Sequence, residues 1–316
     1  MSLALLFPGQ GSQAVGMGKE LASSSTAARR VFEEADEALG EPLSTLIFEG
    51  PADELKRTRN TQPAILTMSI ACLRALEERG IAAPAFAAGH SLGEYSALVA
   101  AGSLAFADAV RAVRARGTFM QEAVPEGVGA MAAVLGLDAA RIQEIIAATA
   151  TTTTDYGACA NFNGPDQTVI AGTVKGVENA TAALKAGGAK RVMPLPVSAP
   201  FHCALMAPVQ PRLDDVLSKL SFGPLRFPVV ANVDAAANDD AGRVRALLIE
   251  QVTAPVRFTE IAALLIARGV TRFVEVGPGK ALIGMVKRAP GLIEGSKLLN
   301  VDDDKSLAAT VAALAS

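Results

Sequence analysis

Ala85-Phe86-Ala87-Ala88-Gly89-His90-Ser91-Leu92-Gly93-Glu94-Tyr95 is the stretch that decides the fold. Ala85–Gly89 is a short apolar run with no polar side, the pattern of a strand buried on both faces of a parallel sheet. Leu92–Ala101 follows in helical texture and stops at Gly102. Between them Gly89-His90-Ser91-Leu92-Gly93 fits the pattern Gly-x-Ser-x-Gly. On its own that pattern is common by chance. Set between a buried strand and a helix, it describes a nucleophile elbow, a tight turn that thrusts Ser91 out at the carboxyl edge of a sheet. Leu92 then lies at a helix N-terminus, where its N–H lacks an internal partner and can stabilise an oxyanion. A serine N-cap on an ordinary strand–helix turn is the competing reading.

Working outward, Leu3–Phe7 is another short apolar run, ended by Pro8-Gly9. Leu21–Leu39, Gln62–Glu78 and Phe106–Glu122 carry helical periodicity. Beyond Val124-Pro125-Glu126-Gly127 the texture changes. Ala130–Leu137 reads as a strand, and Asp138 as the cap of a helix running to about Thr149. Thr151–Thr154 reads as a loop. Cys159–Phe162 and Gln167–Gly172 read as a hairpin, Val177–Ala186 as a helix and Lys190–Pro196 as a last strand. Strand, helix, strand, strand, helix, strand is the ferredoxin-like pattern. After it the first texture resumes, with strands at Val229–Val233 and Arg272–Val276 among helices at Leu205–Leu220, Asp240–Val252 and Thr259–Ala267. Asp302–Asp304 reads as a solvated turn before a final helix. The expectation is one α/β domain with a parallel sheet, residues 1–126 and 198–316, interrupted by a ferredoxin-like βαββαβ subdomain at 127–197.

Composition narrows the function. Half of the 316 residues are apolar, and 29 Lys and Arg stand against 32 Asp and Glu, a net charge of −3. A mildly acidic chain argues against general nucleic-acid binding. Three scattered cysteines, Cys72, Cys159 and Cys203, make neither a disulfide framework nor a Cys-type zinc site. No stretch reaches the roughly 20 apolar residues of a membrane span, and no basic leader precedes Leu3–Phe7. A soluble cytoplasmic protein is expected.

A serine nucleophile needs a base, and the chain has only two histidines. His90 is Ser91's neighbour, and adjacent side chains diverge in an elbow. His202 follows Val197-Ser198-Ala199-Pro200-Phe201, where the chain re-enters the large domain, and is the candidate base. Gly9, Gly11 and Ala14 also satisfy a G-x-G-x-x-A dinucleotide fingerprint. The second strand ending in an acidic residue that this fingerprint requires is missing, because Arg29–Leu39 is helical. The loop at Gly9-Gln10-Gly11 instead suits a second oxyanion donor, the Gln10 amide. Arg116, before Gly117, sits at a helix end or break, from which a bidentate guanidinium can hold a substrate carboxylate.

These motifs occur together and in order: Phe7-Pro8-Gly9-Gln10-Gly11-Ser12-Gln13, Gly89 to Ser96, Arg116-Gly117, Phe201-His202, Gln251 with Pro255-Val256-Arg257, and Glu275-Val276-Gly277-Pro278-Gly279. From Leu3 to about Lys287 the chain closely resembles the bacterial malonyl-CoA:acyl-carrier-protein transacylases of type II fatty-acid synthesis. The resemblance implies a large α/β-hydrolase-like domain with an inserted ferredoxin-like one. It implies Ser91 as nucleophile, His202 as base, the Gln10 and Leu92 amides as oxyanion hole, and Arg116 on the malonyl carboxylate. Gln251 would orient His202 through its carbonyl, and Asn161 and Gln62 would line the cleft. Phe201, just before the histidine, goes with malonyl rather than methylmalonyl. The substrates would be malonyl-CoA and the phosphopantetheine arm of acyl carrier protein, with no metal or bound cofactor, on a monomer. An acidic carrier protein asks for a basic rim, for which Lys190, Arg191 and Lys280 are candidates. A serine thioesterase or other hydrolase, the same acyl transfer in a polyketide pathway, and a non-catalytic carrier-binding subunit are the alternatives. Against a hydrolase stands the absence of a late Asp-then-His pair after Ser91 in the usual hydrolase order. Against the non-catalytic subunit stand the intact Ser91 and His202.

Overall fold

The computed structural model describes residues 2–125, 127–149, 155–197 and 199–315. The expected loop at Thr151–Thr154 lies outside these residues, as do Glu126 and Ser198 at the two expected junctions.

In chain order the first part holds β1 (Ser2–Phe7), α1 (Lys19–Ser24), α2 (Thr26–Leu39), α3 (Leu43–Glu49), α4 (Ala52–Lys56), α5 (Thr58–Glu78), β2 (Phe86–Gly89), α6 (Gly93–Ala100) and α7 (Phe106–Glu122). The middle part holds β3 (Gly129–Leu135), α8 (Ala139–Thr149), β4 (Gly157–Gly164), β5 (Gln167–Thr173), α9 (Val174–Ala186) and β6 (Arg191–Pro194). The last part holds α10 (Val209–Leu217), β7 (Val229–Val230), β8 (Ala237–Asn238), α11 (Ala241–Glu250), α12 (Phe258–Ala267), β9 (Val270–Val276), α13 (Ala281–Val286), β10 (Lys297–Val301) and α14 (Asp304–Ala315).

Two sheets organise the described residues. The larger has the order β10-β9-β1-β2-β7-β8, parallel except for the β7–β8 pair. β1 shows why a run apolar on both sides was required. Leu3, Leu5 and Phe7 pack into the core under α2, α5 and α7, while Ala4 and Leu6 pack with Phe258, Ile261 and Leu265 of α12 on the other face. Side chains two residues apart share a face, so a strand between two helical layers has no polar side.

The smaller sheet has the order β4-β5-β3-β6, antiparallel throughout, the ferredoxin-like arrangement expected from the sequence. Val134, Ile170 and Val192 pack beneath Ile142, Ile145, Val177 and Leu184 of its two helices. Met131, Val169 and Ala171 point the other way and join the core of the large sheet. β4 is also stitched to the segment before α12: Phe162 N–H donates to Val256 O at 2.8 Å and Val256 N–H to Ala160 O at 2.9 Å.

The structure corrects several expected elements. The helix expected at Leu21–Leu39 is two helices, because Ser25 is extended and its hydroxyl accepts from the Ala28 N–H, capping α2. α5 begins at Thr58, ahead of Pro63, and its added turn is tied down by Thr61 Oγ1 donating to Leu55 O at 2.6 Å. α10 is shorter than expected, following a 3₁₀ turn at Ala204–Met206. β7 keeps only two residues of the expected Val229–Val233, since Asn232 leaves the sheet for the elbow. α3, α4, β8, α13 and β10 were not anticipated.

Candidate active site

β1 and β2 run parallel with Phe7 opposite Gly89, so the segments that follow them leave the sheet side by side at its carboxyl edge. That edge is where open α/β sheets bind ligands. The elbow glycines are required by close approach. A Cβ on Gly89 would lie 1.9 Å from the Gly93 carbonyl carbon, and one on Gly93 would lie 2.1 Å from Phe7 O. Ser91 between them has φ 55°, the left-handed region, which costs a non-glycine residue roughly 1–2 kcal/mol. Asn232 compensates. Its Oδ1 accepts from the Ser91 N–H at 2.7 Å, and its Nδ2 donates to Gly89 O at 2.6 Å. Both ends of the turn are thus held by one buried side chain.

Ser91 Oγ lies 2.7 Å from His202 Nε2, and His202 Nδ1 lies 2.9 Å from the Gln251 carbonyl. A carbonyl only accepts, so the proton sits on Nδ1 and the bare Nε2 accepts from the serine hydroxyl. This is the tautomer that can take the Ser91 proton. His202, like Ser91, has a left-handed backbone, φ 57°. Burial, with the nearby Arg116 charge second, pulls its pKa down to about 3, so the imidazole is neutral well below pH 7.

α7 runs unbroken through Arg116 and Gly117, where the sequence suggested a helix end or break, so Arg116 projects from within the helix and is only 1% exposed. Nη1 donates to Gln62 Oε1 at 2.7 Å, and Nη2 donates to Gln251 Oε1 at 2.8 Å and Ser91 Oγ at 3.1 Å. Its guanidinium carbon stands 5.8 Å from the Tyr95 ring centroid. Every direct hydrogen-bonding partner is neutral. Among the described residues neither Arg116 nor Glu94 forms an ion pair. A buried cation with neutral partners is a strong receptor for an anion. Glu94, also buried, accepts from Asn232 N–H and Gln251 Nε2, and burial raises its pKa to about 7.

Ser91, His202, Arg116 and Gln62 line a cavity of about 440 Å³ at the sheet edge, together with Gln10, Leu92, Asn161, Met120 and Phe201. Among the described residues neither the Gln10 nor the Leu92 main-chain N–H has a protein acceptor, as oxyanion donors require. Met131, Leu195, Pro196 and Val197 close the cavity from the small-sheet side. Every expected site residue therefore reaches this cavity except Gln251, which stands behind it as the support of His202 and Arg116. The rim is different. Arg191 pairs with Leu135, at the far end of β6 from Leu195, and with Lys190 borders a separate depression. Lys56 is the lysine at the cavity itself.

Sequence reasoning missed Glu94 and Asn232, and it missed Asn163, whose Oδ1 meets His90 Nε2 at 2.9 Å. A signal for Asn232 existed: a polar residue ending a buried strand at the same sheet edge as Ser91.

Residues 4–296 match the family model described as acyl transferase domain. The chain is 53% identical over 289 residues to the malonyl CoA-acyl carrier protein transacylase of Bacillus subtilis, covering 90% of each. Among solved structures it superposes with TM-score 0.95 and 44% identity on a malonyl-transacylase in complex with its type II PKS acyl-carrier protein, covering 99% of this chain and 100% of that one. An acyl carrier protein S-malonyltransferase from Vibrio cholerae gives TM-score 0.94 at 44% identity, covering 98% and 99%.

Proposed function

The chain belongs to the acyl transferase domain family, and from that membership we propose that it moves a malonyl group from malonyl-CoA to the phosphopantetheine thiol of acyl carrier protein. The product supplies malonyl units for fatty-acid chain elongation, in the cytoplasm. The observation that carries the choice of acyl group is Arg116, a buried cation with neutral partners, 3.1 Å from Ser91 Oγ. An acyl chain ending in a carboxylate supplies the charge that this guanidinium lacks, at the distance from the reacting carbonyl that one methylene sets.

In this reading the Ser91 hydroxyl gives its proton to His202 Nε2 as Oγ attacks the thioester carbonyl. The oxyanion meets the Gln10 and Leu92 N–H groups. The intermediate collapses by breaking the C–S bond, and His202 returns the proton to the departing coenzyme A sulfur. The carrier thiol then gives its proton to His202 and attacks malonyl-Ser91. The C–Oγ bond breaks and Ser91 recovers its proton. The Gln251 carbonyl stabilises the imidazolium in both halves without taking its proton, the part that a buried carboxylate plays in a triad. Asn161, Gln62 and Phe201 shape the cleft around the acyl group. The same reading divides the chain into a catalytic domain, 1–126 with 198–316, and a subdomain, 127–197, that roofs the cleft.

The test separates transfer from hydrolysis. Malonyl-CoA with carrier protein bearing its phosphopantetheine should yield malonyl carrier protein, and malonyl-CoA alone should release malonate only slowly. Malonate release at the same rate without carrier protein would identify a thioesterase instead.

A further inference from the structure

Glu94 takes no part in the transfer as written above, yet it is only 3% exposed on the first turn of α6. Its Oε2 accepts from the Asn232 main-chain N–H at 3.0 Å and from Gln251 Nε2 at 2.8 Å. A carboxyl group buried beside apolar neighbours is costly, and a residue that only filled space there would be apolar.

The chemistry of the neighbouring amide says what the carboxylate does. A carboxamide presents a donor end and an acceptor end of nearly the same shape. Gln251 uses both. Its Nε2 donates to Glu94 and, at 3.1 Å, to the Ser91 carbonyl, while its Oε1 accepts from Arg116 Nη2 at 2.8 Å. Glu94 Oε2 already accepts from the Asn232 N–H, so with the Ser91 carbonyl it presents acceptors that turn the NH₂ end of Gln251 toward it. The oxygen end is thereby turned to the guanidinium. In the opposite orientation an NH₂ group would face Arg116, donor against donor, and two oxygens would face each other at Glu94. Gln62 anchors Nη1 from the other side, so Gln251 is what holds Nη2 beside Ser91.

We propose that Glu94 is a positioning residue for substrate selection: by fixing the amide orientation of Gln251 it holds the Arg116 guanidinium in the line on which it meets the carboxylate of the acyl group. The proposal rests on the malonyl reading. Glu94 touches neither the acyl group nor the thiol and acts through two other side chains.

The experiment measures kcat/KM for malonyl-CoA and for acetyl-CoA, with carrier protein as acceptor, in wild type, Glu94→Ala, Glu94→Met and Glu94→Gln, each checked for folding by circular dichroism. The malonyl-to-acetyl ratio should fall on the order of tenfold in Glu94→Ala and Glu94→Met, which remove the acceptor. Glu94→Gln should restore most of it, because its amide oxygen can accept from both donors. A packing role would lower both substrates by one factor, so an unchanged ratio in folded Glu94→Met overturns the proposal. A Glu94→Gln ratio as low as that of Glu94→Met also overturns it, since charge rather than amide orientation would then be responsible. If the Ala and Met variants do not fold, Glu94→Gln decides alone: a ratio near wild type supports the proposal, and a tenfold loss contradicts it. A wild type with no preference for malonyl-CoA would contradict the malonyl reading, and this proposal with it.

Discussion

The chain's two histidines line one cavity. Both are buried, and burial lowers the pKa of each. Their surroundings separate them. His202 is held between the Ser91 hydroxyl and the Gln251 carbonyl, with a bare nitrogen toward the serine. His90 points Nε2 at Asn163 Oδ1 of β4 and lays its ring 5.9 Å from that of Phe258. One is placed for proton transfer, and the other joins the elbow to the small sheet. Burial and residue type are shared, so the partners of the two ring nitrogens make the difference.

The largest expected effect falls on the first of these regions. His202→Ala should slow Ser91 acylation and the following transfer by on the order of 10²–10⁴-fold. His90→Asn, measured alongside, should cost much less in rate and show mainly as a lower melting temperature. A folded His90→Asn protein slower than His202→Ala would reverse the assignment of the two imidazoles.

Next comes the cation beside Ser91, in the His202 region. Arg116→Ala should lower kcat/KM for malonyl-CoA by on the order of 10²-fold, from the loss of a charge-assisted bidentate pair, and acetyl-CoA much less. Arg116→Lys should recover part of the loss, since an ammonium keeps the charge without the fork. Equal losses for both acyl groups would mean that the carboxylate is read elsewhere.

The smallest effect is on the pH profile. An ordinary histidine base loses activity as pH falls through about 6.5. His202, held down to about 3 by burial and then by Arg116, stays neutral and competent through that range. The single-turnover rate of Ser91 acylation should therefore stay level from pH 8 to below pH 6. A fall centred near 6.5 would mean that the imidazole is more exposed to solvent than its 3% suggests.

Much of this was legible before any coordinates. The elbow was readable because its strand is apolar on both faces and its glycines have no steric alternative. His202 was readable because histidine is scarce, and the βαββαβ insertion because its elements alternate in a known order. What escaped was written in long-range pairing. Asn232 supports Ser91 from 141 positions away, and nothing local to either residue announces the other. Glu94 looked like an ordinary acidic residue in a first helical turn, and only the fold brings Gln251 to its oxygen. β10 is half-buried at the sheet edge, with too little apolar patterning to stand out. The break between α1 and α2 hid because the apolar period runs through Ser25, and a cap overrides period only once the chain turns.

In the proposed transfer Ser91, served by His202, carries the malonyl group. Intact-mass spectrometry after malonyl-CoA is added without carrier protein tests it most directly. One malonyl adduct is expected, mapped to the Ser91 peptide, discharged when carrier protein is added and absent from Ser91→Ala. An adduct that persists in Ser91→Ala, or maps to another peptide, would contradict it.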